Sequence, residues 1–299
     1  MNRSQTVRGY LMVILSAVIF GCMPMMAKFI YDGGINSLSL VLMRNLLSLP
    51  VVGLAAFRQR GSLRIPRKAV PSIAAIGITG CCVAPTLLFS SYFYIASGTA
   101  TVFHFVYPAA VVLGGVLCCR ERVTPGNLVS VLLCVVGIAL FYNPGDPLDW
   151  RGSTLALLSG VVFAAYVLML SHFKHREVSG FLLNFYIFAI NSLVMLGVCL
   201  AAGLLTLPAT LGSCMFCFFF ALVTNVCAVA MFQQGTFLIG GQQASILSTL
   251  EPITGVFMGA LVFRETVGLR TALGSGLVIA ASILIVLSEI HGKKQNTRL

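Results

Sequence analysis

Apolar residues run along this chain in long unbroken blocks rather than at every second position. Residues 9–27 hold 19 positions without Asp, Glu, Lys or Arg, residues 69–119 hold 51, and residues 178–250 hold 73. A helix crosses the hydrocarbon core of a bilayer in about 20 residues. The second block therefore holds two spans and the third holds three, with Gly203, Leu207–Pro208 and Gly240–Gly241 as breaks. Continuous blocks argue against a β-barrel, whose strands alternate with period two. The pattern predicts an all-α integral membrane protein with ten transmembrane helices at 9–29, 37–57, 70–92, 97–119, 126–143, 152–172, 180–203, 212–234, 242–263 and 269–288, joined by short loops.

The chain also repeats itself. Pro108, Arg120, Glu121 and Val123 return 144 positions later as Pro252, Arg264, Glu265 and Val267, without a gap. Ala100, Val112, Gly115 and Leu117 return as Ala244, Val256, Gly259 and Leu261. At offset 143, Leu15, Ser16, Val18, Phe20 and Met26 match Leu158, Ser159, Val161, Phe163 and Met169. The expected organisation is one five-helix repeat over 7–143, a second over 150–288, and a tail at 289–299, with the turn-forming cluster Asn143–Pro147 as the joint. An odd number of spans per repeat inverts the second relative to the first, which is how many transporters build two halves around a central site.

Composition agrees with a lipid setting. Hydrophobic residues make up 58% of the chain and charged residues 9%, against about 25% charged in a soluble domain. The net charge of +11 raises the question of nucleic acid, but the distribution of the charge argues against that partner. Most basic residues fall before the first span (Arg3, Arg8), after the second (Arg58 to Lys68), fourth (Arg120, Arg122), sixth (Lys174, Arg176) and ninth (Arg264, Arg270), and in the tail (Lys293, Lys294, Arg298). Asp32, Asp146 and Asp149 sit in the other loops, beside one exception, Arg151. This is a positive-inside pattern, with all those basic groups expected on one side and both termini cytoplasmic. Arg3 and Arg8 before an apolar core imitate a signal peptide, but the spans that follow favour an uncleaved first helix. All ten cysteines fall inside spans; eight read as small hydrophobes, and Cys214–Cys217 has metal or redox spacing without a second pair. No nucleotide-binding loop, metal-ligand set or Ser/His/Asp arrangement is present, so no cofactor, no metal and no catalytic residue is expected.

The chain resembles the EamA family of the drug/metabolite transporter superfamily over nearly its whole length. The motif that carries the likeness is Leu250-Glu251-Pro252, Gly259, Phe263-Arg264-Glu265 and a Gly-rich last helix from Gly268 to Gly276, repeated in the first half as Tyr107-Pro108, Gly114-Gly115, Arg120-Glu121 and Gly126. Phe20-Gly21, Lys28 and Arg44 are also similar to the family, although its usual Trp near Phe20 is absent. The resemblance implies a polar–aromatic cavity lined mainly by helices 1, 3, 4, 6, 8 and 9, on which Phe20 and Tyr166 fall, and export of amino acids and related metabolites, or uptake as in some members, at a bacterial inner membrane.

Glu251 is the sharpest single candidate, because an ionised carboxylate at mid-bilayer costs roughly 2.5–3.5 kcal/mol and normally faces a cavity or a partner. Its helical neighbours Ser248, Ala244 and Gly255 are small or polar. Substrate-amine binding, proton coupling, and a structural tie to a neighbouring helix or to Arg44 all remain open for it. His104 and Tyr107 occupy the first-half positions of Ser248 and Glu251 and share a helix face. Pro108 and Pro252 each free one carbonyl, on His104 and Ser248, for a ligand or merely kink the helix. Gln233, Gln234 and Tyr94 suit a polar metabolite or a membrane interface. Lys28 is expected to snorkel or to meet an anionic group. Arg44 is assigned to helix packing or gating, as are Arg120, Glu121, Arg264 and Glu265.

The leading expectation is therefore a secondary transporter of small polar metabolites working by alternating access, proton-coupled or an uncoupled facilitator, as a monomer or weak homodimer in the lipid bilayer. An intramembrane lipid-modifying enzyme is the alternative class, and it would need clustered acids that this chain lacks.

Overall fold

A computed structural model describes residues 3–95, 97–121, 125–140, 149–175, 178–263 and 268–296. The Asn143–Pro147 joint, Arg264 and Glu265 lie outside the described residues. Every regular element described is helical: α1 Arg3–Gly21, α2 Met23–Asp32, α3 Ser37–Arg60, α4 Val70–Gly77, α5 Ala84–Ser91, α6 Ser97–His104, α7 Tyr107–Cys119, α8 Pro125–Ala139, α9 Trp150–Ser171, α10 Gly180–Ala202, α11 Leu211–Ala221, α12 Ala230–Ile239, α13 Gly241–Leu247, α14 Leu250–Phe263 and α15 Leu269–Asn296. Joined across local breaks, they give seven stretches of 21–29 residues that are long and apolar enough to cross a membrane, plus shorter apolar helices at Pro125–Ala139 and Leu269–Leu284. Their outer faces carry large apolar side chains, with Leu117, Leu193 and Leu211 all more than 70% exposed. Water would not tolerate such a surface, and a hydrocarbon solvent accepts it.

Proline explains several breaks. Pro24 lacks an N–H and interrupts the first apolar block at Cys22, a break not anticipated from the sequence. Pro108 and Pro252 stand just after the breaks between α6 and α7 and between α13 and α14. The Ser248 carbonyl accepts the Glu251 N–H at 3.0 Å in a tight turn. The His104 carbonyl packs against Gly160 of α9, where any Cβ would collide with it.

Two π-helical turns, Ile78–Val83 between α4 and α5 and Leu222–Val229 between α11 and α12, begin 144 positions apart. Such turns widen a helix locally and often sit at functional sites. Helix contacts also come in matched pairs: α1 packs on α12 and α14 as α9 packs on α5 and α7, while α3 packs directly on α10. Polar side chains fasten these crossings. Ser16 donates to the Ala228 carbonyl at 2.9 Å, Asn191 to the Gly77 carbonyl at 3.0 Å and Ser48 to the Ala221 carbonyl at 3.2 Å.

α15 packs along α8, with Gly274 against Gly137. Gly137 lies near the Ala139 end of α8 and Gly274 near the start of α15, so the two helices run in opposite directions. Arg270 therefore sits at the opposite end of the bundle from Glu121 and His172. This corrects the expectation that Arg270 shares the basic side, because the antiparallel packing of α15 on α8 places it at the other end.

Candidate functional site

α1, α2, α3, α5, α6, α9, α12, α14 and both π-helical turns converge on a partly open cavity. Glu251, His104, Phe20, Tyr166 and Arg44 line it together, from helices far apart in sequence. The aromatic wall is built by Phe163, Tyr166 and Phe232. Phe163 lies 5.2 Å from Tyr166 and 5.8 Å from Phe232, centroid to centroid, and Tyr166 stacks on Phe232 at 6.2 Å with 23° between planes. Each such pair adds about 1 kcal/mol beyond its buried area, so this wall is stiff. Gly80 completes it, because its missing side chain is what allows the Tyr166 ring to lie against the first π-helical turn.

The polar groups differ in how they are held. The His104 Nδ1 bonds Ser159 Oγ at 2.8 Å, and its ring packs on Phe163 at 5.4 Å. Tyr107 is buried beside it and bonds Ser248, which ties the break between α6 and α7 to the break between α13 and α14. Arg44 is 2% exposed; its Nε donates to Asn225 Oδ1 at 2.8 Å, and Asn225 returns a bond to the Arg44 carbonyl at 2.8 Å. Its guanidinium lies 5.9 Å from the Phe89 ring. Glu251 is half-buried, and its carboxylate makes no hydrogen bond or ion pair among the described residues. Arg44 and Glu251 thus share a cavity without pairing.

The remaining expected residues lie elsewhere. Gln233 is wholly buried near the Tyr166 phenol, without reaching hydrogen-bond geometry to any group. Gln234 packs on Gly180 at the start of α10. Tyr94 is 44% exposed beside Gly152 at the start of α9, and Lys28 is exposed on α2. Pro108 and Pro252 are buried at their helix breaks.

Sequence reasoning did not place Phe232, Phe163, Pro85, Leu88 or Val229 at the site, yet the repeat contains the signal. Pro85 and Leu88 return as Val229 and Phe232 at offset 144, Phe20 returns as Phe163 at offset 143, and all six line the cavity.

A second polar cluster closes one end of the bundle. Asn127 of α8 donates to Gln242 Oε1 at 2.7 Å, Gln242 of α13 donates to Glu121 Oε2 at 2.6 Å, and Glu121 Oε1 meets His172 Nε2 at 3.3 Å. Arg120 makes this possible by ending α7 in the left-handed region at φ 54°, with the Glu121 N–H bonded to the Gly115 carbonyl at 2.9 Å. The side chain of Arg120 is exposed, and among the described residues the side-chain partners of Glu121 are His172 and Gln242. Gln242→Leu removes both amide hydrogen bonds at about 1 kcal/mol each. We expect roughly tenfold or greater loss of hydrogen-exchange protection in the first turn of α13, with the far end of the bundle unchanged.

Membrane-crossing helices around a charged and aromatic cavity are the architecture of a transporter. The model of the EamA-like transporter family matches residues 7–143 and 150–287, and the chain belongs to that family. It is 27% identical over 302 residues to an uncharacterized transporter, YcbK, of Bacillus subtilis, covering 97% of this chain and 94% of the relative. It is 26% identical to an uncharacterized inner membrane transporter, YicL, of Salmonella typhimurium, covering 95% and 97% of the two chains. A solved crystal structure superposes with a TM-score of 0.74 at 17% identity, covering 96% of this chain and 98% of the other, which is a likeness of fold. The protein is thus a multi-pass membrane protein of a small-molecule transporter family.

Proposed function

We propose that this chain is a secondary transporter that exports amino acids or related small polar metabolites across a bacterial inner membrane by alternating access. The observation that carries the proposal is the cavity in which Glu251 and His104 meet an aromatic wall, with helices from both ends of the chain contributing. In this reading the ten spans form two inverted five-helix repeats, 7–143 and 150–288, with both termini and the Glu121–His172 cluster in the cytoplasm. The cavity binds solute near the midplane, and that cluster gates its inner end. The matched helix contacts and paired π-helical turns support the inversion.

Glu251 holds the solute's amine or takes up a proton on each cycle, and the two roles separate experimentally. Cells overproducing the chain and loaded with dipeptides should release the corresponding free amino acids faster than cells carrying empty vector. Release that collapses with the proton gradient identifies coupling, while release that ignores it identifies a facilitator. No acceleration for any amino acid would contradict the export reading.

A further inference from the structure

The cavity contains two ionisable groups of opposite charge type that do not pair. Arg44 comes from α3 and Glu251 from α14, both line the same space, and no ion pair joins them. Among the described residues no salt bridge joins either group to any other side chain. Taking an unpaired charge out of water is costly, and chains normally remove the cost by pairing the group, exposing it or neutralising it. A single solute that carries both charges supplies the counter-charge that each group lacks.

The hydrogen bonding of Arg44 favours that solute over a purely structural role. Asn225 accepts from Nε and donates to the backbone carbonyl of the same arginine, which fixes the guanidinium from one edge. Nη1 has only a 3.9 Å contact with the Met23 sulfur, a weak acceptor. The terminal nitrogens are therefore held in place with their capacity for a forked carboxylate bond unused. Phe163 and Phe232 supply an apolar surface for whatever lies between the charged ends.

We propose that Arg44 and Glu251 are the two poles of a zwitterion site, Arg44 binding the solute's carboxylate and Glu251 its ammonium group, and that Asn225 is the positioning residue for Arg44. The inference rests on the transport reading and adds to it a rule of selection: a solute is accepted only when it bears both charges.

The test uses the wild-type protein in proteoliposomes with charge-matched radiolabelled sets, in which each amino acid of a twenty-member panel is paired with its amide, a cation, and its 2-hydroxy acid, an anion. The proposal expects flux for at least one zwitterion and at least about a hundredfold less for its amide and its hydroxy acid, the scale of a buried charge deprived of its partner. Equal flux of an amide or a hydroxy acid overturns the zwitterion rule while leaving transport intact. No flux of any solute overturns both. Arg44→Gln should then reduce zwitterion flux while narrowing its advantage over the amide, because the cation no longer meets an uncompensated arginine. A structural arginine would lower both fluxes in proportion, and that result also overturns the proposal.

Discussion

Glu251→Gln should lose at least about a hundredfold in transport and lose nothing in stability. The two halves of that expectation come from one observation, that the carboxylate lines the cavity without a partner among the described residues. A solute's ammonium group, or a transported proton, needs the negative charge, and a neutral amide offers only a weak dipole. The flux loss follows from leaving a buried cation without its counter-charge. Folding depends on no bond to that carboxylate, and an unpaired charge at this depth costs roughly 2.5–3.5 kcal/mol. The thermal unfolding midpoint of the purified variant in detergent should therefore stay level or rise. A midpoint that falls with flux would return Glu251 to the structural role left open by sequence alone.

Gly80→Ala should do the reverse and damage both properties together. A Cβ at this position falls on the ring of Tyr166. The ring also packs on Phe163 and stacks on Phe232 and lines the cavity, so its displacement is expected to narrow that space. Overpacking a close-packed site typically costs about 1–3 kcal/mol, which should appear as a lower unfolding midpoint. The displaced phenol should block solute and bring flux near background. Removing the obstruction in Gly80→Ala with Tyr166→Ala should recover part of the midpoint. A Gly80→Ala protein with normal flux would show that solute passes elsewhere.

The membrane-spanning character and seven of the spans were legible because lipid imposes a simple rule. Every backbone polar group must be satisfied within the segment, so crossings appear as uncharged blocks of predictable length. The repeat was legible from Pro108, Arg120 and Glu121 and their copies. What escaped was local departure from regular helix. Neither the interruption at Cys22 nor the turn at Ile78–Val83 changes hydropathy, so neither marks an apolar block. Neither π-helical turn, Ile78–Val83 or Leu222–Val229, contains a proline. Arg270 was misplaced because basic residues were grouped by loop, whereas the antiparallel packing of α15 on α8 decides the side.

Within the site, Glu251 was conspicuous as an acid in an apolar run, and His104 through its repeat partner. Arg44 was read as a packing residue because its position in a span reveals nothing of what faces it. Only the fold brings Asn225, 181 positions away, to hold it. Phe232 was hidden by ordinary composition, since an aromatic in a membrane helix is unremarked until its repeat partner Leu88 is known to line a cavity. Gln233 and Gln234 drew notice for their polarity, yet neither lines the cavity: Gln233 is wholly buried and Gln234 packs on Gly180 at the start of α10.

The most direct test of transport through this cavity is counterflow in proteoliposomes, with wild type and Glu251→Gln reconstituted side by side and a labelled amino-acid panel offered against unlabelled solute inside. Transient accumulation of at least one amino acid by the wild type, absent in the variant, is the expected result. Equal accumulation by both proteins would contradict a cavity centred on Glu251, and no accumulation by either would contradict amino-acid transport itself.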